Sequence, residues 1–354
     1  MNKKYEILIL GASYGSLLGI KLALAGHNVK LVCLPNEVEL INKEGVIVRL
    51  PIKGEKGVEE LRSSNAEGNI TAAGPSDVNP NDFDLICLAM QEPQYGVADV
   101  ANLLSRVAKS AIPCMSIMNM PPLPYLARIE NLKISDLHEA FTKPDVWSEF
   151  NPDLVTLCSP DPQAFRPPDE PINVLQVGLP TNFKVASFVS DENTKILRNL
   201  QSDIESFLYK KGQDTIELPV KLKVHDSLFV PLAKWSMLLA GNYRCVQENE
   251  ARSIKEAVHS DIRVTEGIYN WVSELARDLG ASSTDQVPFE KYAKAAESLI
   301  RPSSAARALF TGAKNIERVD RLVRLIALQM GKDVSIIDSI IDTVDRRLEI
   351  NRKS

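Results

Sequence analysis

"ILILGASYGSLLG", residues 7–19, decides the fold. Ile7, Leu8, Ile9 and Leu10 form a short continuous apolar run that stops at Gly11, the pattern of a buried strand entering a turn. Beyond the turn, Leu17, Leu18, Lys21, Leu22 and Ala25 recur at helical spacing, Gly26 stands where a helix would stop, and "HNVKLVCL" supplies a second apolar strand. The segment predicts a β-α-β unit. The first turn of such a helix carries unpaired N–H groups and a partial positive charge, which together favour a pyrophosphate. The dinucleotide fingerprint G-x-G-x-x-G is incomplete here. In Gly11-Ala12-Ser13-Tyr14-Gly15 the spacing is one residue short, and Ser13 replaces the middle glycine, although its hydroxyl can still donate to a phosphate. These five residues are the first candidates for cofactor binding. The competing reading is a plain β-α turn whose glycines only permit close packing.

Outward from this unit, "GVIVRLPI" reads as an edge strand or hairpin piece and "ITAAG" as another short one. "FDLICLAM" (83–90) is a strong buried strand, followed by a helix from about Val97 to Lys109 and a further buried strand in "AIPCMSIMN" (111–119). Strands alternating with helices predict a mostly parallel, doubly wound sheet, whose ligands sit beyond the carboxyl ends of the strands. Gly11, Met90, Gln91 and Asn119 all fall at such ends. Residues 120–173 are rich in proline and read as loops and short strands covering one edge. A strand pair, "INVLQVGLP" and "FKVASFVS", then a helix over 191–210 and the strand "TIELPVKLKV", complete a first domain, 1–223. The remainder, 224–354, reads as all-α. "DSLFVPLAKWSMLLAGNYRCV" is apolar nearly all round, which suggests a buried helix at a domain interface. Further helices are expected over 252–279, 288–300, 315–330 and 334–350.

Bulk properties narrow the function classes. A chain of 354 residues with 44% hydrophobic and 25% charged residues reads as an ordinary globular protein with room for two domains. Its net charge of −5 gives no reason to expect nucleic acid. No apolar run approaches membrane-spanning length, and "MNKKYE" leads into a strand instead of a leader, so a cytoplasmic protein is expected. Cys33, Cys87, Cys114, Cys158 and Cys245 lie mostly inside apolar runs and read as reduced core residues. His27, His138, His225 and His259 show no ligand spacing, so no metal is expected.

Lys234 stands out because it lies inside an apolar helical stretch. A lysine there either snorkels to the surface or is held in a cleft that lowers its pKa. Asn242, eight residues on, would lie roughly 80° around a regular α-helix from it. The basic run Arg301, Arg307, Lys314, Arg318, Arg321 and Arg324 reads as a solvated helix face, the alternative being that one arginine pairs with a substrate carboxylate.

Together, "GASYGSLLGIKLALAGHNVKLV", "FDLICLAMQ", "SIMN", "LAKWSMLLAGN" and "PSSAARALFTGAKNIERVD" occur in the order that characterises ketopantoate reductases, and the chain resembles that family over about two thirds of its length. The resemblance implies an N-terminal Rossmann-type sheet followed by an all-α domain of the 6-phosphogluconate dehydrogenase-like kind. It also implies NADP or NAD as cofactor and a small carboxylated substrate held between the domains; an apolar helical C-terminal domain often forms a dimer face, which makes a homodimer an expectation of its own. On this resemblance Lys234 is the acid that protonates the carbonyl oxygen as hydride arrives. Asn119 lies between nicotinamide and substrate, Asn242 and Ser304 bind substrate, and Glu317 holds its distal polar group. Glu317 can instead be read as a first-turn acid favoured by the helix dipole.

The departures from the pattern bear on specificity. Gln91 stands where the family has a lysine, Leu238 where it has the first asparagine of K-x3-N-x3-N, and Cys33-Leu34-Pro35-Asn36 where an arginine would grip a 2′-phosphate. An apolar pocket wall at Leu238 makes ketopantoate itself an unfavourable substrate. Two competing readings follow. One is an opine-type or imine-reducing dehydrogenase; the other is a catalytically inactive cofactor-binding paralogue.

Overall fold

The computed structural model describes residues 3–54 and 57–353. Met1 and Asn2, on which the reading of the chain start partly rests, lie outside the described residues. The chain divides into two compact units. The first comprises Met1–Met90, Val97–Tyr125 and Val146–Asp226, and the second Gln91–Gly96, Leu126–Asp145 and Ser227–Ser354.

All strands of the described residues belong to the first unit: β1 (Glu6–Leu10), β2 (Asn28–Val32), β3 (Ile47–Pro51), β4 (Val58–Arg62), β5 (Ile70–Ala73), β6 (Leu85–Leu88), β7 (Cys114–Ile117), β8 (Val155–Ser159), β9 (Gln163–Phe165), β10 (Val174–Leu179), β11 (Phe183–Ala186), β12 (Leu208–Lys211), β13 (Asp214–Glu217) and β14 (Leu222–His225). Eight of them form one sheet in the order β5-β2-β1-β6-β7-β8-β11-β14. From β5 to β8 neighbouring strands are parallel, whereas β11 runs antiparallel to β8. Ile9 at the sheet centre pairs with Leu31 on one side and Cys87 on the other. Ile7 to Leu10 are wholly buried on both faces of the sheet, which explains why the strand reads as an unbroken apolar run. The chain lays β1, β2 and β5 outward on one side and returns to β6 on the other. The strand order therefore reverses between β1 and β6, where a doubly wound sheet opens a crevice for ligand.

One sequence-based expectation is corrected, and a second is narrowed. The strand pair expected from "INVLQVGLP" and "FKVASFVS" does not form. β10 joins a second sheet of order β4-β3-β10-β9, parallel to β3 and antiparallel to β9, while β11 enters the large sheet. β3 is accordingly an inner strand of that second sheet, and its antiparallel pairing with the next strand, β4, makes it the hairpin piece and not the edge strand of the two readings given above. Part of the proline-rich stretch, Gln163–Phe165, supplies its outer strand. Apolar faces recruited partners from distant segments, so adjacency in sequence did not decide the pairing.

The second unit is helical, with Ile254–His259, Ile262–Asp278, Phe289–Ala296, Ser304–Phe310, Val319–Gln329 and Ser335–Lys353. The single helix expected over 252–279 breaks at Ser260-Asp261, where the Asp261 side chain accepts from the Val264 N–H (3.1 Å) and caps a new helix. Among the described residues no helix is long and apolar enough to cross a membrane.

Candidate cofactor and catalytic residues

In the first unit, the turn after β1 is fixed by backbone geometry. Gly11 adopts φ +104°, and a Cβ there would lie 2.7 Å from both the Ala89 carbonyl oxygen and Met90 Cγ. Its N–H donates to the Val32 carbonyl (2.8 Å), so the ends of β1, β2 and β6 converge on one glycine. Only glycine satisfies both the dihedral angle and the approach. Gly15 plays a different part: a Cβ would meet Ile9 Cγ2 at 2.9 Å, so its absence lets the helix Tyr14–Leu24 lie down on β1. The shortened fingerprint thus keeps the turn glycine and the packing glycine, while Ser13 occupies the helix N-cap with φ −87° and needs no glycine. The Ser13 side chain makes no cap, and Ser16 Oγ, which is buried, donates instead to the Ala12 carbonyl (2.5 Å). A helix N-terminus at the switch point without a side-chain cap from Ser13 suits an anion such as a pyrophosphate. Met90 and Asn119, both half-buried, lie two residues past the ends of β6 and β7 at the same carboxyl edge.

The end of β2 holds residues that sequence reading missed. Glu37, at the third position of the helix Pro35–Glu44, turns back so that Oε2 accepts from the Leu34 N–H (2.9 Å). Its other oxygen, Oε1, lies 2.5 Å from a guanidinium nitrogen of Arg166, which follows β9. Burial, with Glu37 beside it, pushes the Cys33 thiol up to about 12, against the opposing charge of Arg166. The cluster Cys33, Glu37 and Arg166 therefore occupies the place where the sequence offered no cation. The Glu37 capping pattern was readable, since an acid follows the turn by three residues; Arg166 lies over a hundred residues away in a proline-rich stretch and left no local signal.

In the second unit, Lys234 opens a short α-helical turn (Lys234–Met237) that passes into a π-helical segment, Leu238–Asn242. Lys234, Met237 and Asn242 are half-buried, whereas the other residues of 231–243 are buried. The widened turn changes the expected geometry. An i→i+5 segment advances each residue by less than the ~100° of an α-helix. Asn242 is therefore rotated back from the 80° offset towards the Lys234 side. The cause is Tyr292: its hydroxyl donates to the Met237 carbonyl (3.2 Å), and a Cβ on Gly241 would lie 1.9 Å from that oxygen. A polar group wedged against a helix carbonyl is a recognised origin of such bulges.

Asn242 is fixed at the far end of this segment. Its carbonyl accepts from Ser303 Oγ (2.7 Å), and Ser303 also caps the helix Ser304–Phe310. The tie is thus made by the buried Ser303, while Ser304 is exposed at the first helical position. Tyr243, next in sequence, donates from its hydroxyl to the Glu317 carbonyl (2.6 Å) and accepts from the Val319 N–H (3.0 Å). Asn242, Ser303 and Glu317 are accordingly drawn to one end of the Lys234 segment. Glu317 is buried and precedes the helix Val319–Gln329, so the reading of it as a first-turn acid is corrected. Leu238 is buried. Gln91 is exposed, and its N–H bonds the Gln94 side chain (2.9 Å).

The solvated-face reading of the basic run is corrected at Arg318, whereas Arg321 and Arg324 stay 34% and 38% exposed in ion pairs at the surface. Arg318 is buried and makes two bonds to Asp320 (2.9 and 2.8 Å) and a further one to Asp345. Burial works against its charge, yet the two carboxylates hold its pKa above the ordinary arginine value. Arg321 pairs with Asp345 (2.7 Å) and Arg324 with Asp338 (3.0 Å). Arg318, buried between Asp320 and Asp345, ties the start of the helix Val319–Gln329 to the helix Ser335–Lys353.

No family model matches the sequence, and no curated protein matches it. Solved structures do. A ketopantoate reductase of the PanE/ApbA family from Ralstonia eutropha JMP134 is 15% identical, with a TM-score of 0.64 over 98% of this chain and 99% of that one. The 2-dehydropantoate 2-reductase of Methylococcus capsulatus is 14% identical, with a TM-score of 0.63 over 99% and 98%. A D-mandelate dehydrogenase in ternary complex with NADH and anilino(oxo)acetate is 14% identical, with a TM-score of 0.64 over 98% and 99%. With β1 at the switch point of a doubly wound sheet and a helical second unit carrying Lys234, the chain has the fold of the ketopantoate reductases.

Proposed function

We propose that the protein is a nicotinamide-dependent reductase that transfers hydride to the carbonyl of a small carboxylated substrate, with Lys234 as general acid. The observation that carries this reading is the turn at Gly11, closed against Ala89 and Met90 and followed by an uncapped helix N-terminus at the switch point. Gly11, Ala12, Ser13, Tyr14 and Gly15 would hold the pyrophosphate, and Met90, Gln91 and Asn119 would flank the nicotinamide end. NADP or NAD bound there supplies the hydride.

The remaining chemistry belongs to the chain. As the carbonyl carbon gains hydride, its oxygen gains negative charge, and a proton from the Lys234 ammonium converts it to a hydroxyl. Of residues 231–243 only Lys234, Met237 and Asn242 are half-buried, which supports an ammonium reached from that side. Asn242, rotated towards that side by the π-turn, would hydrogen-bond the same substrate. Glu317 and Ser304 are assigned to its polar ends, and Ser303 anchors the loop that carries Ser304. Buried Leu238 in place of an asparagine favours a substrate with an apolar side group over a small polar hydroxy acid.

The test is turnover of NADPH or NADH with a panel of 2-oxo acids by the wild type and Lys234→Ala. A general acid contributes roughly 10²–10⁴-fold, so the variant is expected to lose turnover by that factor while nucleotide affinity is kept. Unchanged turnover would overturn the assignment of Lys234.

A further inference from the structure

We infer that Arg166 reads the 2′-phosphate of NADPH and makes the protein selective for that cofactor. The inference rests on the proposed reductase reading and adds to it a residue that no local pattern announces.

In a doubly wound dinucleotide fold, the adenosine ribose lies at the end of the second strand. An acid there accepts from the 2′-hydroxyl of NAD, or an arginine accommodates the 2′-phosphate of NADP. In this chain β2 ends at Val32, whose carbonyl receives the Gly11 N–H, so this strand end adjoins the phosphate turn. Both an acid and an arginine are present, and their geometry distinguishes their roles. Glu37 is 7% exposed, and each of its oxygens is engaged, one by the Leu34 N–H and the other by Arg166. A carboxylate committed in this way is an anchor and is not open to a ribose diol. Arg166 is 28% exposed, and its planar guanidinium has five N–H donors, of which the carboxylate cannot take all. It is the accessible partner of the pair.

Arg166 is also held in place from both sides. Phe165, directly before it, pairs with Gln176 in the β9-β10 ladder, and Glu170 after it is bound to Arg49 (2.7 Å). Glu37 orients the guanidinium and offsets part of its charge, and a phosphate monoester, carrying nearly two charges, is the ligand for which the remaining donors are suited. Cys33, whose thiol burial keeps neutral, adds no competing charge. The second sheet thereby gains a function: it carries an arginine to a strand end where Cys33-Leu34-Pro35-Asn36 has none.

The experiment measures dissociation constants for NADPH, NADH, 2′,5′-ADP and ADP with the wild type, Arg166→Ala and Arg166→Lys. The wild type is expected to prefer each 2′-phosphorylated member by at least about tenfold. Arg166→Ala should weaken NADPH and 2′,5′-ADP by roughly 10–100-fold, the range for a charge-assisted contact, and leave NADH and ADP within about threefold. Arg166→Lys should fall between them. Equal affinity of the wild type for NADPH and NADH, or an equal loss of both in Arg166→Ala, would overturn the inference while leaving the reductase reading intact. Binding of neither nucleotide would overturn both. If Arg166→Ala does not fold, the wild type decides: its preference for NADPH should decline as the pH falls through about 6 and the phosphate gains a proton, and a preference that does not move would count against Arg166.

Discussion

Lys21 is the residue whose burial has the clearest consequence for stability. It recurs among the apolar positions of the helix Tyr14–Leu24 and is only 3% exposed, with its ammonium directed at the Pro219 carbonyl (3.0 Å) and the Leu218 carbonyl (3.5 Å). Next to these carbonyls, Val220 adopts φ +62°, an uncommon conformation for a β-branched residue, and the two contacts hold the turn that contains it. Burial, assisted by the nearby charge of Lys221, pushes the Lys21 pKa down to about 7. Between that value and the ~10.4 of an unfolded lysine, the unfolded chain binds the extra proton. Stability therefore rises with pH across this window, because the cost of burying the charge is full below the folded pKa and is relieved above it. Lys21→Met lacks this dependence. Denaturant unfolding of the two proteins is expected to show the stability of the wild type gaining on that of the variant from pH 7 to pH 10; parallel curves would contradict the assignment.

At the scale of an element, the π-turn Leu238–Asn242 is held open by one hydroxyl from a distant helix. Gly241→Ala places a methyl group where the Tyr292 oxygen now lies, 1.9 Å away, on a buried ring that has little room to retreat. Tyr292→Phe removes that oxygen and leaves the nearest ring carbon at 3.3 Å. The single variants should both destabilise, Tyr292→Phe by about 1 kcal/mol for its hydrogen bond and Gly241→Ala by more, of the ~1–3 kcal/mol expected of overpacking. The double variant should be more stable than Gly241→Ala alone, with a coupling within the ~0.5–3 kcal/mol found for residues in contact. Additive effects would show that the hydroxyl does not shape the turn. This element also marks where sequence reading stops. Lys234 was legible because a cation in an apolar helix is conspicuous, but the rotation of Asn242 depends on Tyr292, some fifty residues on, and no window around Lys234 contains it.

Across the molecule the same division holds. The β-α-β start and the strands after it were legible because parallel strands buried on both faces leave continuous apolar runs between glycines. The separation of β10 from β11 was not, since both are short apolar runs and the partner of each lies far away in sequence. At the candidate site, Gly11 was legible as a turn residue, whereas the reason Gly15 compensates for the missing register, its contact with Ile9, needed the packed helix. Glu317 and Ser304 were named through a resemblance, and the structure adds that Tyr243 and Ser303, which no reading of the sequence singled out, hold their segments against the end of the Lys234 helix. The central claim is that the turn at Gly11 binds a dinucleotide. It is tested most directly by titrating the purified protein with NADPH and NADH, following tryptophan quenching, beside Gly11→Val. That variant meets the Ala89 carbonyl and a positive φ, and circular dichroism would confirm that it stays folded. Micromolar binding of at least one nucleotide by the wild type is expected, with a loss of ~100-fold or more in the folded variant, since the backbone that faces the phosphate must move. No binding by the wild type at millimolar nucleotide, or equal binding by Gly11→Val, would contradict it.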